Sequence, residues 1–308
     1  MLISCRKVTL NNKKLLHVKG TLLLASNHPN SFLDGVILDA LFEQPLYSLA
    51  RGDVFTKSLY KRLLRSIKIL PVYRLSEGQE NLATNYDTFE ECREIFRQNG
   101  IVVIFSEGKC INEWHLRPLR KGTARLALAS WDHDIPLKVL PVGINYSAFR
   151  RFGKNMFINF GSVISREDLD MNQPDGARHQ QFNNILHEGL NKLVFEIENK
   201  DHQQQEKLLQ LDTPTTKKIL LFIPSILGYV LNLPLYLPLK RFALKRAGHN
   251  DHYDSVLMAM LIFIYPFYAL ALALIVFFIT HSWYSFLLLI VLPLTAWSHV
   301  QLKKQIDK

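Results

Sequence analysis

Cysteine is scarce in this chain, with Cys5, Cys92 and Cys110 the only three among 308 residues. An odd number at such wide spacing excludes a disulfide framework and predicts a reducing compartment. Neither they nor His28 has a second histidine or cysteine nearby at ligand spacing, so no metal is expected. Acidic residues are also short. Twenty-seven Asp and Glu against 37 Lys and Arg leave a formal net charge of +10, which calls for an anionic partner. The first twenty residues lack an uninterrupted apolar run, because Arg6, Lys7, Lys13 and Lys14 break it. No secretory signal is read there, and the soluble part is expected in the cytoplasm. Internal repeats and low-complexity tracts are absent too.

What the chain does have is a division. Charges crowd toward the front and apolar residues toward the back, within a composition that is 48% hydrophobic and 21% charged. Strong apolar segments beside a basic surplus make membrane lipid the expected partner, with no nucleic acid.

Between residues 20 and 165, short apolar runs alternate with stretches of helical period. Thr21–Ala25, Ile67–Val72, Ile101–Phe105, Lys138–Val142 and Met156–Phe160 read as strands. Ser31–Phe42, Ser58–Ser66, Gln79–Gln98 and Gly122–Trp131 carry apolar residues three or four apart and read as helices. The alternation predicts an α/β fold, a mixed but mostly parallel sheet flanked by helices. Residues 1–211 form the expected cytosolic domain, whose end, 167–211, reads as an amphipathic helix running into a connector.

Residues 212–308 are the expected membrane-associated region. The stretch 219–239 is apolar but interrupted by Pro224, Gly228, Asn232, Pro234 and Pro238, with basic residues on both sides. An interfacial or re-entrant hairpin fits it better than a crossing. Residues 256–280 carry no formal charge and are long enough for about 30 Å of hydrocarbon. A polar break with Trp283 and Tyr284 leads into 286–300, so the two segments predict a transmembrane helical hairpin. Basic clusters before and after it predict that both ends, and the catalytic domain, face the cytoplasm. A pair of buried core helices is the alternative.

The sharpest local feature is SNHPNSFLDG, Ser26–Gly35, directly after the apolar run TLLLA. Ligands of open α/β sheets gather beyond the carboxyl ends of strands, which is where His28 falls. Pro29 and Asn30 favour a turn, and Asn30 or Ser31 suits the cap of a helix starting near Phe32. His28 and Asp34 would lie on different faces of a continuous helix, so they can meet only across such a turn. Meeting, they make a general base: the carboxylate fixes the imidazole tautomer and the free nitrogen accepts a hydroxyl proton. Locally, Asp34 equally fits a residue complementing a helix N-terminus, and His28 a turn residue.

NHPNSFLD resembles the first block of the glycerolipid acyltransferase superfamily, which includes the glycerol-3-phosphate and 1-acylglycerol-3-phosphate acyltransferases. The usual block is Asn-His, four residues, then Asp. Five separate His28 from Asp34 here, a variant that resembles the fungal-type glycerol-3-phosphate enzymes and related bacterial proteins. Later blocks follow in order: LPVYR ending at Arg74, FSEGK over Phe105–Lys109 in place of the usual Phe-Pro-Glu-Gly-Thr, LRPLRKGTARLALA over Leu116–Ala129, and LPVGINYS from Leu140. The resemblance runs from about Leu22 to Ile164. It implies catalysis by His28 and Asp34, acceptor-phosphate contact by Arg74, and acceptor binding by Glu107 and Gly108. Lys109, Arg117 and Lys121, with Arg120, would add positive charge around the phosphate. Pro141, at a strand end, would shape the acyl pocket. Each later block also reads as ordinary surface or turn.

The function implied is membrane-bound O-acyl transfer from acyl-CoA or acyl carrier protein to 1-acyl-sn-glycerol-3-phosphate, with no cofactor. Glycerol-3-phosphate or another lysolipid or aminolipid is the alternative acceptor. A non-catalytic lipid-binding membrane protein is the alternative of another class.

Overall fold

The computed structural model describes residues 5–55, 58–73 and 82–306. Among these residues seven strands form one sheet: β1 (Cys5–Leu10), β2 (Leu22–Ser26), β3 (Leu46–Arg51), β4 (Ile69–Val72), β5 (Ile101–Phe105), β6 (Lys138–Tyr146) and β7 (Lys154–Phe160), in the order β1-β7-β6-β2-β5-β3-β4. Every pair is parallel except β6 with β7, which is antiparallel. The expected fold class is the one observed. The apolar run of β2 sits centrally and is buried on both faces, as parallel sheets require. Leu23 and Ala25 face one core with Phe96, Ala124, Trp131 and Phe182. Leu22 and Leu24 face the other with Leu38, Tyr146, Met156 and Leu209.

The flanking helices are α1 (Phe32–Leu41), α2 (Ser58–Ser66), α3 (Leu82–Arg97), α4 (Gly122–Asp132), α5 (Asp175–Asn191) and α6 (His202–Leu209). The amphipathic stretch expected after residue 167 is thus two helices with a break between them. β1 and β3 escape the sequence pattern. β3, LYSLAR, mixes polar with apolar residues, and β1, CRKVTL, carries Arg6 and Lys7. Pro141 also corrects an expectation: β6 runs on to Tyr146, so the proline lies buried inside a strand, where its carbonyl accepts from Gly161.

Three apolar helices close the chain: α7 (Thr215–Ala247), α8 (Tyr253–Thr280) and α9 (Leu288–Leu302). Each is long and apolar enough to cross a membrane, α9 together with the 3₁₀ turn Trp283–Leu287 that leads into it. The prolines of α7 do not interrupt it as a helix. Near its start, Lys217 bonds Gln301, and Gln301 in turn exchanges two bonds with Arg6 of β1. Near its end, Ala243 and Ala247 pack on Tyr253 and Leu257, and Gly248 accepts from Arg150 of the β6–β7 loop. Its middle lies deeper: the Leu231 carbonyl accepts from Tyr268, roughly 22 Å down α8 at 1.5 Å per residue. Both ends of α7 thus bond groups at or next to the α/β domain, and its middle bonds α8.

The end of α9 returns to the same domain. Gln305 bonds Leu211, Asn155 and Ser147, and Ile306 enters the second core. α8 and α9 thus make a hairpin with residues 281–287 at its far tip.

Candidate active site

β2 ends at Ser26, opposite Phe105 at the end of β5. Asn27 prolongs the β2–β6 pairing with its side chain, donating to the Ile144 carbonyl and accepting from its amide at 2.9 and 2.7 Å. His28 is the first residue free of the ladder. Ser31 then takes φ +51°, a conformation non-glycine residues rarely adopt, and α1 begins at Phe32. That reversal brings Asp34, in the first turn of α1, back under the imidazole. The Ser31 hydroxyl makes no helix cap, contrary to expectation; it bonds His252 Nδ1 at 2.6 Å.

His28 Nδ1 and Asp34 Oδ2 are 2.9 Å apart. Asp34 is fully buried, while the imidazole keeps 19% of its side-chain surface exposed. The carboxylate also accepts from the Asn30 amide at 2.8 Å and from the Tyr146 hydroxyl at 2.6 Å. Burial, then the Asp34 charge, pushes the Tyr146 phenol well up, so it stays a donor. With Asp34 accepting on both oxygens, His28 carries its proton on Nδ1, and Nε2 is left as a lone pair. The ring stacks on Phe105, centroids 4.0 Å apart and planes 16° apart.

Glu107 holds this arrangement from behind. One carboxylate oxygen accepts from the His28 amide at 2.8 Å and the other from the Arg117 amide at 2.9 Å. Burial raises its pKa, opposed by those two amides. The next residue, Gly108, has φ +65°, and a Cβ there would stand 2.9 Å from Arg120 Cγ, so a side chain would be strained and would force Arg120 to shift. Behind the turn, Cys110 Sγ accepts from the Ser31 amide, and Asn112 donates to the Pro29 carbonyl. Burial lowers His252 below the usual imidazole value; Asp251 opposes this, and Arg51 and His28 add to it.

Of the residues singled out from sequence, the structure joins His28, Asp34 and Glu107 directly. Arg117 enters through its backbone, its guanidinium pairing with Glu113 at 2.8 Å. Lys109 and Lys121 are exposed, and their side chains make no ion pair among the described residues. Arg74 lies outside the described residues. Sequence reasoning missed Tyr146, which reaches Asp34 from β6, and the first turn of α8.

Residues 7–145 match the family model described as Acyltransferase, a segment that holds His28, Asp34 and Glu107. This segment, a little under half of the chain, is similar to acyltransferase domains. The chain is 27% identical over 167 residues to an uncharacterised acyltransferase of Schizosaccharomyces pombe. That match covers 52% of this chain and 23% of the relative, so the chain spans less than a quarter of the relative's length. The crystal structure of the 1-acyl-sn-glycerophosphate (LPA) acyltransferase from Thermotoga maritima superposes with a TM-score of 0.45 at 11% identity, covering 67% of this chain and 74% of that one.

Proposed function

We propose that the chain transfers a fatty-acyl group from acyl-CoA or acyl carrier protein to the free hydroxyl of 1-acyl-sn-glycerol-3-phosphate at a membrane surface. The observation that carries this reading is the His28–Asp34 pair with Nδ1 engaged and Nε2 open. In the reaction the acceptor hydroxyl oxygen bonds to the thioester carbonyl carbon while His28 Nε2 takes its proton. The C–S bond then breaks, and the imidazolium returns the proton to the leaving thiolate. A positioned base supplies roughly 10²–10⁴-fold, and Asp34 stabilises the cation that forms. The transfer requires no metal or other cofactor. Arg74, Lys109, Arg117 and Lys121 supply positive charge for the acceptor phosphate, Arg74 by a bidentate fork, and Gly108 lets the acceptor approach the backbone.

In this reading α8 and α9 cross the bilayer as a hairpin and α7 enters and leaves on one side. The basic residues Lys240, Arg241, Lys245 and Arg246, with Lys303 and Lys304, support a cytoplasmic position for that side and for the catalytic domain. The five-residue spacing supports a second acceptor, glycerol-3-phosphate.

Membranes containing the full chain, given labelled acyl-CoA or acyl carrier protein and each acceptor in turn, test the reading. His28→Ala and Asp34→Asn should lose transfer while still accumulating in the membrane. Near-normal transfer by His28→Ala would remove the base assignment, and preference for glycerol-3-phosphate would replace the acceptor.

A further inference from the structure

The membrane helix α8 contains a single charged residue, Asp254, in its first turn. It is buried, and it pairs with Lys154 of β7, which is also buried. A buried ion pair is seldom retained for stability alone, since apolar replacements of similar volume are often neutral or better. The position of this one suggests another use. Asp254 Oδ2 also accepts from the Asn30 side chain at 2.9 Å, and the Asn30 amide bonds the same oxygen of Asp34 that faces His28. Lys154 Nζ lies 5.5 Å from the centre of the Tyr146 ring, and Tyr146 bonds the other Asp34 oxygen. The contacts close a ring: Asp34, Asn30, Asp254, Lys154, Tyr146 and Asp34 again.

Neighbouring residues repeat the pattern. Ser255 Oγ accepts from the Leu33 amide and donates to the Asn30 carbonyl, both at 3.3 Å. His252 meets the Ser31 hydroxyl, and Asp251 accepts from the Asn112 amide at 3.0 Å. Residues 251–255 therefore hold the turn that carries His28 and Asp34 at several points. All of them, with Lys154, lie outside the segment 7–145 that matches the family model.

We propose that the first turn of α8 belongs to the catalytic apparatus. Asp254, seated on Lys154, is a positioning residue that fixes Asn30 and through it the orientation of the Asp34–His28 pair. The membrane helices thereby set the geometry of the base as well as its location. The inference rests on His28 being that base.

Three variants of the full chain in its membrane test it. Lys154→Met with Asp254→Leu removes the ion pair and the acceptor for Asn30. It should lower kcat by about ten- to a hundredfold, the scale of a small misplacement of a catalytic group, with KM for both substrates little changed. Lys154→Met with Asp254→Asn removes the charges but keeps an acceptor, and should restore most of kcat. Asn30→Ala leaves the Lys154–Asp254 pair intact and should lower kcat as the first variant does; combined with it, the loss should be no larger than either alone.

Normal kcat in Asn30→Ala overturns the proposal even if the paired variants fail to accumulate. Equal kcat in the Leu and Asn versions, tracking thermal stability, also overturns it by reducing the pair to a fold contact. His28→Ala run alongside separates the two readings. An active His28→Ala removes the base and this inference together, whereas an inactive one beside a normal Asn30→Ala removes this inference alone.

Discussion

Tyr146 donates its phenolic hydrogen to Asp34 Oδ1 at 2.6 Å, across 112 residues of chain. The bond occupies the carboxylate oxygen that His28 does not use, so it limits rotation of the carboxylate. Tyr146→Phe should leave the core filled, because the ring stays. Hydrogen bonds to charged groups are worth roughly 1.5–3 kcal/mol, so kcat should fall about ten- to a hundredfold with KM unchanged. Steady-state kinetics on the membrane fraction check this; an unchanged kcat would detach Tyr146 from the pair.

Glu107 bears on stability through pH. Its raised pKa means the folded chain holds this proton more tightly than the unfolded chain. Stability therefore falls as pH rises from the ordinary carboxyl range through the raised value, and levels off above it. Glu107→Gln should remove that slope. It should also impair transfer, because an amide cannot accept from both the His28 and Arg117 amides. Unfolding curves of wild type and variant between about pH 4 and pH 7 show whether the slope disappears.

The thiols should be inert. Burial pushes Cys92 up to about 12 and Cys110 higher still, so almost no thiolate exists near neutrality. Iodoacetamide at about pH 8 should label neither residue in the folded protein and both after denaturation. Labelling of native Cys110, followed by mass spectrometry, would show that the region behind the Ser31 turn opens.

Gly228 is where α7 meets α9. A Cβ there would stand 2.0 Å from the Thr295 carbonyl oxygen, too close for any side chain. Gly228→Ala should push the two helices apart, at a cost of about 1–3 kcal/mol, typical of overpacking. Lower thermal stability and faster proteolysis of the solubilised chain are the expected readouts.

The course of the helices is testable by labelling from either side. Cysteines introduced as Asn250→Cys and Ser282→Cys should react with a membrane-impermeant maleimide from opposite faces, whereas Asn250→Cys and Thr213→Cys should share one. If the latter two divide, α7 crosses the membrane.

The sequence carries the central elements because their signals are local. β5 is apolar from end to end and bounded by polar residues, and the turn at His28 is written in its prolyl and polar neighbours. β1 and β3 were hidden because their pairing depends on partners far along the chain, which no window of a few residues contains. The site divides in the same way. His28, Asp34 and Glu107 stand in short motifs at strand ends, whereas Tyr146 reaches Asp34 by the register of β6 alone. Asp254 did leave a sign, as a lone charge at the head of a long apolar run, but its partner Lys154 is a hundred residues away. The continuity of α7 as a helix was hidden by its prolines, which in sequence read as interruptions.

Arg6 and Gln301, which exchange two bonds across 295 residues, order events during synthesis. Arg6 lies at the sheet edge and is buried there, so its guanidinium stays without its Gln301 acceptor until the end of α9 has left the ribosome. By then α8 and most of α9 have already been made and are free to enter lipid. β1 can join the sheet only once β7 has been made, and its edge is closed by residues that reach it by way of the hairpin. A chain stopped within residues 281–287 should therefore leave the β1 edge loose and more open to protease than the rest of the sheet.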